Sequence, residues 1–331
     1  MLVTELYSGQ GLGNQLWSYV VTRVLALDRG LEFGIMSPQK FKGADFMDPD
    51  FGREVRGGAG PEGGPPERLP DGITNYYVER DTLHPGFGCD IRDHDEGLLA
   101  IPDNTKIEGY FQSEKFIAHR RGEIRGWLKV RPESDIMDFS SDDLCVMNVR
   151  GGEYRHNPDL ILPRKYWTDA AANMRREKPG MRFVVVTDDV KYARKLLPEF
   201  EAYHLGIGRD YAAVKNARYL VLANSSFAFF PAWTSETVRK VIAPKYWARH
   251  NVSDGFWACA FNLYRDWLWQ DRDGELRTYE QCAAEYERYR AERGLASFGP
   301  KPAAPRIPAW RRRLQRTLDS ASRVKRRLLD L

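Results

Sequence analysis

The chain has 331 residues, 42% of them hydrophobic, with 50 Lys and Arg against 46 Asp and Glu for a formal net charge of +4. That length predicts two domains at ~150 residues each, and 28 Gly with 19 Pro are too few for a collagen-like or wholly disordered chain. No apolar stretch reaches the ~20 residues of a bilayer span, and the four scattered cysteines fit a reducing compartment better than a disulfide or zinc framework.

Residues 2–7 read as a strand in place of a charged leader. Residues 8–14 form a glycine-rich turn, and residues 15–28 carry Leu16, Trp17, Val20, Val21, Val24, Leu25 and Leu27 at helical spacing. The opening unit is therefore strand, glycine loop, helix. Residues 52–72 contain too few apolar side chains to bury and predict a long mobile loop within the first lobe. From residue 144 onward, short apolar runs (144–149, 182–186, 219–223, 241–243) alternate with helical patterns (165–176, 190–197, 231–239). That alternation predicts a parallel α/β sheet, whose ligands sit in the crevice beyond the carboxyl ends of the strands.

The segments after those runs are polar and small: Arg150-Gly151-Gly152-Glu153-Tyr154, Thr187-Asp188-Asp189 and Asn224-Ser225-Ser226-Phe227. An arginine supplies a rigid pair of donors to phosphate. Small serines let backbone N–H groups approach an anion, and an aspartate accepts from ribose hydroxyls or a base edge. Such a set suits a nucleotide diphosphate. Taken singly, Arg150 also reads as an ordinary ion-paired residue, and the Asp and Ser groups as helix caps. The loop Gly9-Gln10-Gly11-Leu12-Gly13 has neither the GxGxxG nor the Walker spacing, so alone it carries little weight.

As an ordered set these segments resemble the bacterial α-1,2-fucosyltransferases of glycosyltransferase family 11. GQGLGNQLWSY at 9–19 looks like their opening GGLGNQLFQY-type segment, and GYFQSEKF at 109–116 is similar to their GYFQSEKYF. NVRGGEY at 148–154 stands at their HxRRxDY-type motif; VVVTDD, NARYLVLANSSFAFFPAW and VIAPKYW follow in the family's order. The resemblance covers roughly residues 2–247. It implies a two-lobed GT-B-like fold with a Rossmann-like C-terminal lobe, a GDP-fucose donor, inversion at the anomeric carbon and no metal or other cofactor. Arg150 aligns with the motif's first Arg, and Ser225 and Ser226 with the family's phosphate-contacting serines. Asn148 replaces the motif His, Gly151 its second Arg and Glu153 its Asp.

The expected organisation is an acceptor-side lobe at 1–140, a nucleotide-sugar lobe at 141–300 and a basic tail at 301–331. Arg150 is expected to stabilise the leaving phosphate, with Glu153 as catalytic partner and Glu114 as a second candidate base. Gly11, Gly13, Asn14, Gln15, Asn148, Asp188, Asp189, Asn224, Ser225, Ser226 and Phe227 are expected to border the donor. Two other readings stay open: a transferase using a different nucleotide sugar, and a non-catalytic nucleotide-sugar or glycan-binding protein of the same fold.

Asp48-Pro49-Asp50 and Asp271-Arg272-Asp273 formally match the Asp-x-Asp of metal-dependent transferases, but neither follows an apolar run, and the six histidines lack ligand spacing. Tyr264, Trp267 and Trp269 are read chiefly as core. Residues 310–331 hold eight basic and two acidic side chains, so the preceding 309 residues carry −2 and lack the footprint of a nucleic-acid binder. An apolar stripe opposite those cations suits an interfacial helix on anionic lipid. The expected location is cytoplasmic, peripheral at the inner membrane face through this tail, and the expected acceptor a glycan, lipid-linked in surface polysaccharide synthesis.

Overall fold

The computed structural model describes residues 1–56, 69–79, 82–84, 89–91, 95–251 and 262–293, all inside one compact unit, Met1–Leu295. The basic tail and the middle of the loop expected at 52–72 lie outside the described residues. The two ends of that loop are pinned: Val55 and Leu69 pack on Val3, Met36 and Ile73.

The first sheet contains β1 (Leu2–Glu5), β2 (Phe33–Met36), β3 (Asn75–Val78) and β6 (Thr105–Glu108) in the order β2-β1-β6-β3, all parallel. Between β3 and β6, Thr82–His84 (β4) and Cys89–Ile91 (β5) pair as an antiparallel ribbon. β1 lies between two neighbours and all four of its residues are buried. Its one carboxylate, Glu5, is matched by Lys106 of β6 at 2.7 Å, with both side chains wholly inaccessible.

α1 (Leu12–Asp28) has apolar residues almost all round, because it is enclosed on more than one side. One side packs on β1, and Trp17 stacks on Phe229 at 4.3 Å between ring centroids. A Trp buried this completely is worth ~3–5 kcal/mol against Ala. α1 thus joins the first sheet to the second half of the chain. After β6 comes the short helix α2 (Arg121–Trp127).

The second sheet is Rossmann-like. Its strands β7 (Leu144–Val149), β8 (Arg182–Thr187), β9 (Glu201–Tyr203), β10 (Tyr219–Leu222), β11 (Lys240–Pro244), β12 (Leu268–Gln270) and β13 (Leu276–Arg277) lie in the order β13-β12-β11-β10-β7-β8-β9. All pairs are parallel except β12–β13. The helices are α3 (Arg164–Glu177), α4 (Val190–Leu196), α5 (Ile207–Asn216), α6 (Phe229–Trp233) and α7 (Tyr279–Arg293). From β7 the chain builds outward to β9, then α5 returns it to β10 on the other side of β7. The crevice beyond the ends of β7 and β10 is therefore the topological switch point, where open α/β sheets take ligands. Apart from the β12–β13 edge pair, both sheets are parallel, as the α/β expectation required.

One predicted helix is shorter than its pattern. The stretch 231–239 is helical only to Trp233, because the Ser235 hydroxyl accepts from the N–H groups of Thr237 and Val238 and folds the chain into a turn.

Candidate functional site

Arg150 is the first residue beyond β7. Its guanidinium lies 2.8 Å from Asp188 Oδ2 and 3.3 Å from Glu153 Oε1, and stands over the Tyr154 ring at 5.4 Å. Among the described residues the buried Nε–H has no hydrogen-bond partner. Asp188 also accepts the Gly151 N–H at 2.8 Å, so one carboxylate holds both the arginine and the turn behind it. The double glycine makes this geometry accessible. A Cβ on Gly151 would lie 2.7 Å from Asp189 Cβ and 2.9 Å from the Tyr192 ring, and Gly152 has φ +40° with Asp188 Oδ2 where its Cβ would stand. A side chain at Gly151 would require Asp189 and the Tyr192 ring to move.

Asp189 caps α4, accepting the Tyr192 N–H at 2.9 Å, and its other oxygen faces Arg155 at 3.1 Å. Asn148 is buried in β7 and donates to the Val186 carbonyl of β8 at 3.3 Å. Asn224, after β10, donates to the Leu160 carbonyl. Ser225 begins a short helical turn, its hydroxyl accepting the Phe227 N–H. Tyr154 reaches the Asn224 carbonyl at 3.4 Å, and burial pushes its phenol above the ordinary range.

The glycine loop meets this edge directly. A Cβ on Gly13 would fall within contact of the Ser226 carbonyl group and the Phe227 nitrogen, so backbone lies on backbone between residues far apart in sequence. Asn14 Oδ1 accepts from Ser226 Oγ at 2.7 Å and from Gln112 Nε2 at 2.8 Å, drawing the 109–116 segment to the same point. Gly13→Val is expected to lower the free energy of unfolding by the ~1–3 kcal/mol of a small-to-large core change, or more, since the obstructing atoms are main chain. A denaturation midpoint within error of wild type would remove the close-contact argument.

Gly11 caps α1 with open space where a Cβ would stand. Gln15 is fully buried and serves the fold: its amide donates to the Lys40 carbonyl and accepts the Lys42 N–H, each at 2.9 Å. Phe227 packs edge-on against Tyr211. Of the carboxylates weighed as bases, Glu153 is 76% exposed beside Arg150. Glu114 is buried, taking the Trp233 indole N–H at 3.2 Å and the Arg265 N–H at 2.7 Å, and burial raises its carboxyl above the usual range. The structure thus employs Glu114 as a clamp between the 109–116 segment and the second half of the chain.

Of the two Asp-x-Asp stretches, Asp48 pairs with Arg131 and Asp50 with Arg23. Asp271 organises a turn by accepting the Asp273 and Glu275 N–H groups. Tyr264, Trp267 and Trp269 are buried, as expected for core. Sequence reasoning missed the contact between the His204 ring and the Asp210 carboxylate, at 2.6 Å, beyond β9.

No family model matches the chain. The alpha-1,2-colitosyltransferase of Escherichia coli is 22% identical over 179 residues, which are 48% of this chain and 62% of that relative, so the match spans less than two thirds of the relative's length. Among solved structures, NodZ alpha-1,6-fucosyltransferase soaked with GDP-fucose aligns with a TM-score of 0.40 and 12% identity over 73% of this chain and 94% of its own. POFUT1 in complex with GDP-fucose aligns with a TM-score of 0.35 and 8% identity over 73% and 96%. The α/β assignment rests on the strand order given above. No helix among the described residues is long and apolar enough to cross a membrane.

Proposed function

We propose that the chain is an inverting, metal-independent glycosyltransferase of GT-B type, related to glycosyltransferase family 11. It would transfer fucose from GDP-fucose to a glycan hydroxyl. The observation that carries this reading is the convergence of three segments at the switch point: Arg150 beyond β7, Ser225 and Ser226 beyond β10, and the glycine-loop start of α1 resting on Ser226. The colitosyltransferase relative supports sugar transfer.

In the proposed reaction the acceptor oxygen attacks the anomeric carbon from the face opposite the diphosphate. The bond to the leaving phosphate oxygen breaks with its electron pair, and the acceptor proton passes to a base. Charge grows on the diphosphate as that bond lengthens, and the Arg150 guanidinium together with the Ser225–Ser226 turn would meet it. The diphosphate would compete with Asp188 for Arg150, since that carboxylate now occupies the guanidinium at 2.8 Å.

A panel of GDP-, UDP- and CDP-sugars read by thermal shift, followed by transfer assays with EDTA present, tests the proposal. GDP-fucose is expected to stabilise the protein most, and transfer is expected to persist in EDTA. Transfer abolished by chelation and restored by Mn²⁺ or Mg²⁺ would overturn the metal-free mechanism. Preference for another nucleotide sugar would establish the alternative donor, which Asn148 in place of the motif His and the colitosyl relative both favour. Stabilisation without transfer would mark a binding protein. Peripheral attachment through residues 310–331 belongs to the proposal as well, on the charge pattern of that segment.

A further inference from the structure

The strand order gives a bound nucleotide a direction. With its diphosphate at the ends of β7 and β10, the nucleoside must extend along the carboxyl edge toward β11 or toward β8 and β9. Beyond β11 the described residues are packed: Lys245 is 3% exposed and paired with Glu285, and Tyr246 and Trp247 are buried, Trp247 packing on Tyr264 and Trp269. The β8–β9 side therefore remains, and β9 is two strand spacings from β7, ~10 Å.

At that end of the edge stands a built pair. His204 follows Tyr203, which pairs with Val186, so His204 is level with Thr187 and one position short of Asp188. Its Nδ1 lies 2.6 Å from Asp210 Oδ2, while Asp210 Oδ1 accepts the Leu205 N–H at 2.8 Å. Asp210 is 7% exposed and His204 47%, so a buried carboxylate orients an imidazole whose ring reaches solvent. Burial raises the Asp210 carboxyl above its ordinary range, with the Asp188 charge acting in the same sense. α5, which carries Asp210, is fixed from both halves of the chain: Tyr211 packs on Phe46 at 5.6 Å and on Phe227 at 6.1 Å.

We propose that His204, held by Asp210, forms the nucleoside end of the donor site, its Nε2 hydrogen-bonding the base or ribose. The inference rests on the nucleotide-sugar reading above and adds the residue that recognises the nucleoside. Asp210 is its positioning residue.

The test uses calorimetric titration of the full chain with GDP and, separately, with inorganic pyrophosphate. H204A is expected to weaken GDP binding about tenfold, the worth of one good hydrogen bond. Pyrophosphate binding should be unchanged, and H204Q, which keeps a donor, should fall between the two. GDP affinity within twofold of wild type, or equal weakening of GDP and pyrophosphate, would overturn the assignment while leaving the transferase reading in place. A wild-type chain that binds neither GDP nor pyrophosphate would overturn both.

Discussion

Arg150→Ala is expected to lower kcat for sugar transfer by ~100-fold or more, the scale found when one electrostatic donor to a developing anion is removed. The effect should fall on kcat more than on donor affinity. Charge on the leaving phosphate is largest in the transition state, and only interactions that strengthen there speed the chemical step. Folding should change little: the side chain is one quarter exposed, and the Gly151 N–H keeps its hold on Asp188 at 2.8 Å. Arg150→Lys should recover little, because an ammonium lacks the planar pair of donors. Comparing kcat with nucleotide Kd in each variant checks the claim, and near-normal turnover in the alanine variant would end it.

Lys106→Met should cost ~3–5 kcal/mol of stability, because it strands the buried Glu5 carboxylate. Among the described residues Glu5 then keeps a long hydrogen bond of 3.4 Å from Ser37 Oγ. The Lys106 ammonium also lies 3.5 Å from the Tyr7 hydroxyl, which donates to Glu108 at 3.2 Å, and Tyr76 donates to the same carboxylate oxygen at 2.6 Å. Burial, with the Glu108 and Glu5 charges adding to it, pushes the Tyr7 phenol far above its ordinary range. Replacing both partners, Glu5→Leu with Lys106→Met, removes the unpaired charge and should recover most of the loss. Urea unfolding midpoints of the single and double variants decide the matter. A single variant as stable as wild type would mean that water reaches Glu5.

Several parts of the architecture are legible in the chain because one residue class signals each. The apolar runs at 144–149 and 182–186 read as strands buried on both faces, and the small polar residues after them mark the carboxyl edge. Arg150 could be found because it is a lone cation directly after such a run. The Asp188 contact could not, since it depends on how two glycines bring one turn onto the next strand end. His204 and Asp210 are six residues apart across a loop, and no periodicity links them. Lys106 looks like a surface residue until β6 is seen between β1 and β3. Asp189 is the reverse case, where the helix-cap reading describes the observed contact directly. Gln15 lies inside a motif that suggests ligand binding, yet its amide is used within the fold.

The contact of Gly13 with the main chain of Ser226 and Phe227 also bears on how the molecule can move. Backbone resting on backbone leaves no side chain to change rotamer and no gap to slide into, so this point acts as a fulcrum. Opening of the crevice to admit a donor would have to rock the first sheet about the start of α1, lengthening distances far from residue 13 while that one stays fixed. Spectroscopic labels at surface sites on the two sheets would then report motion, while a label pair bracketing the fulcrum would stay silent.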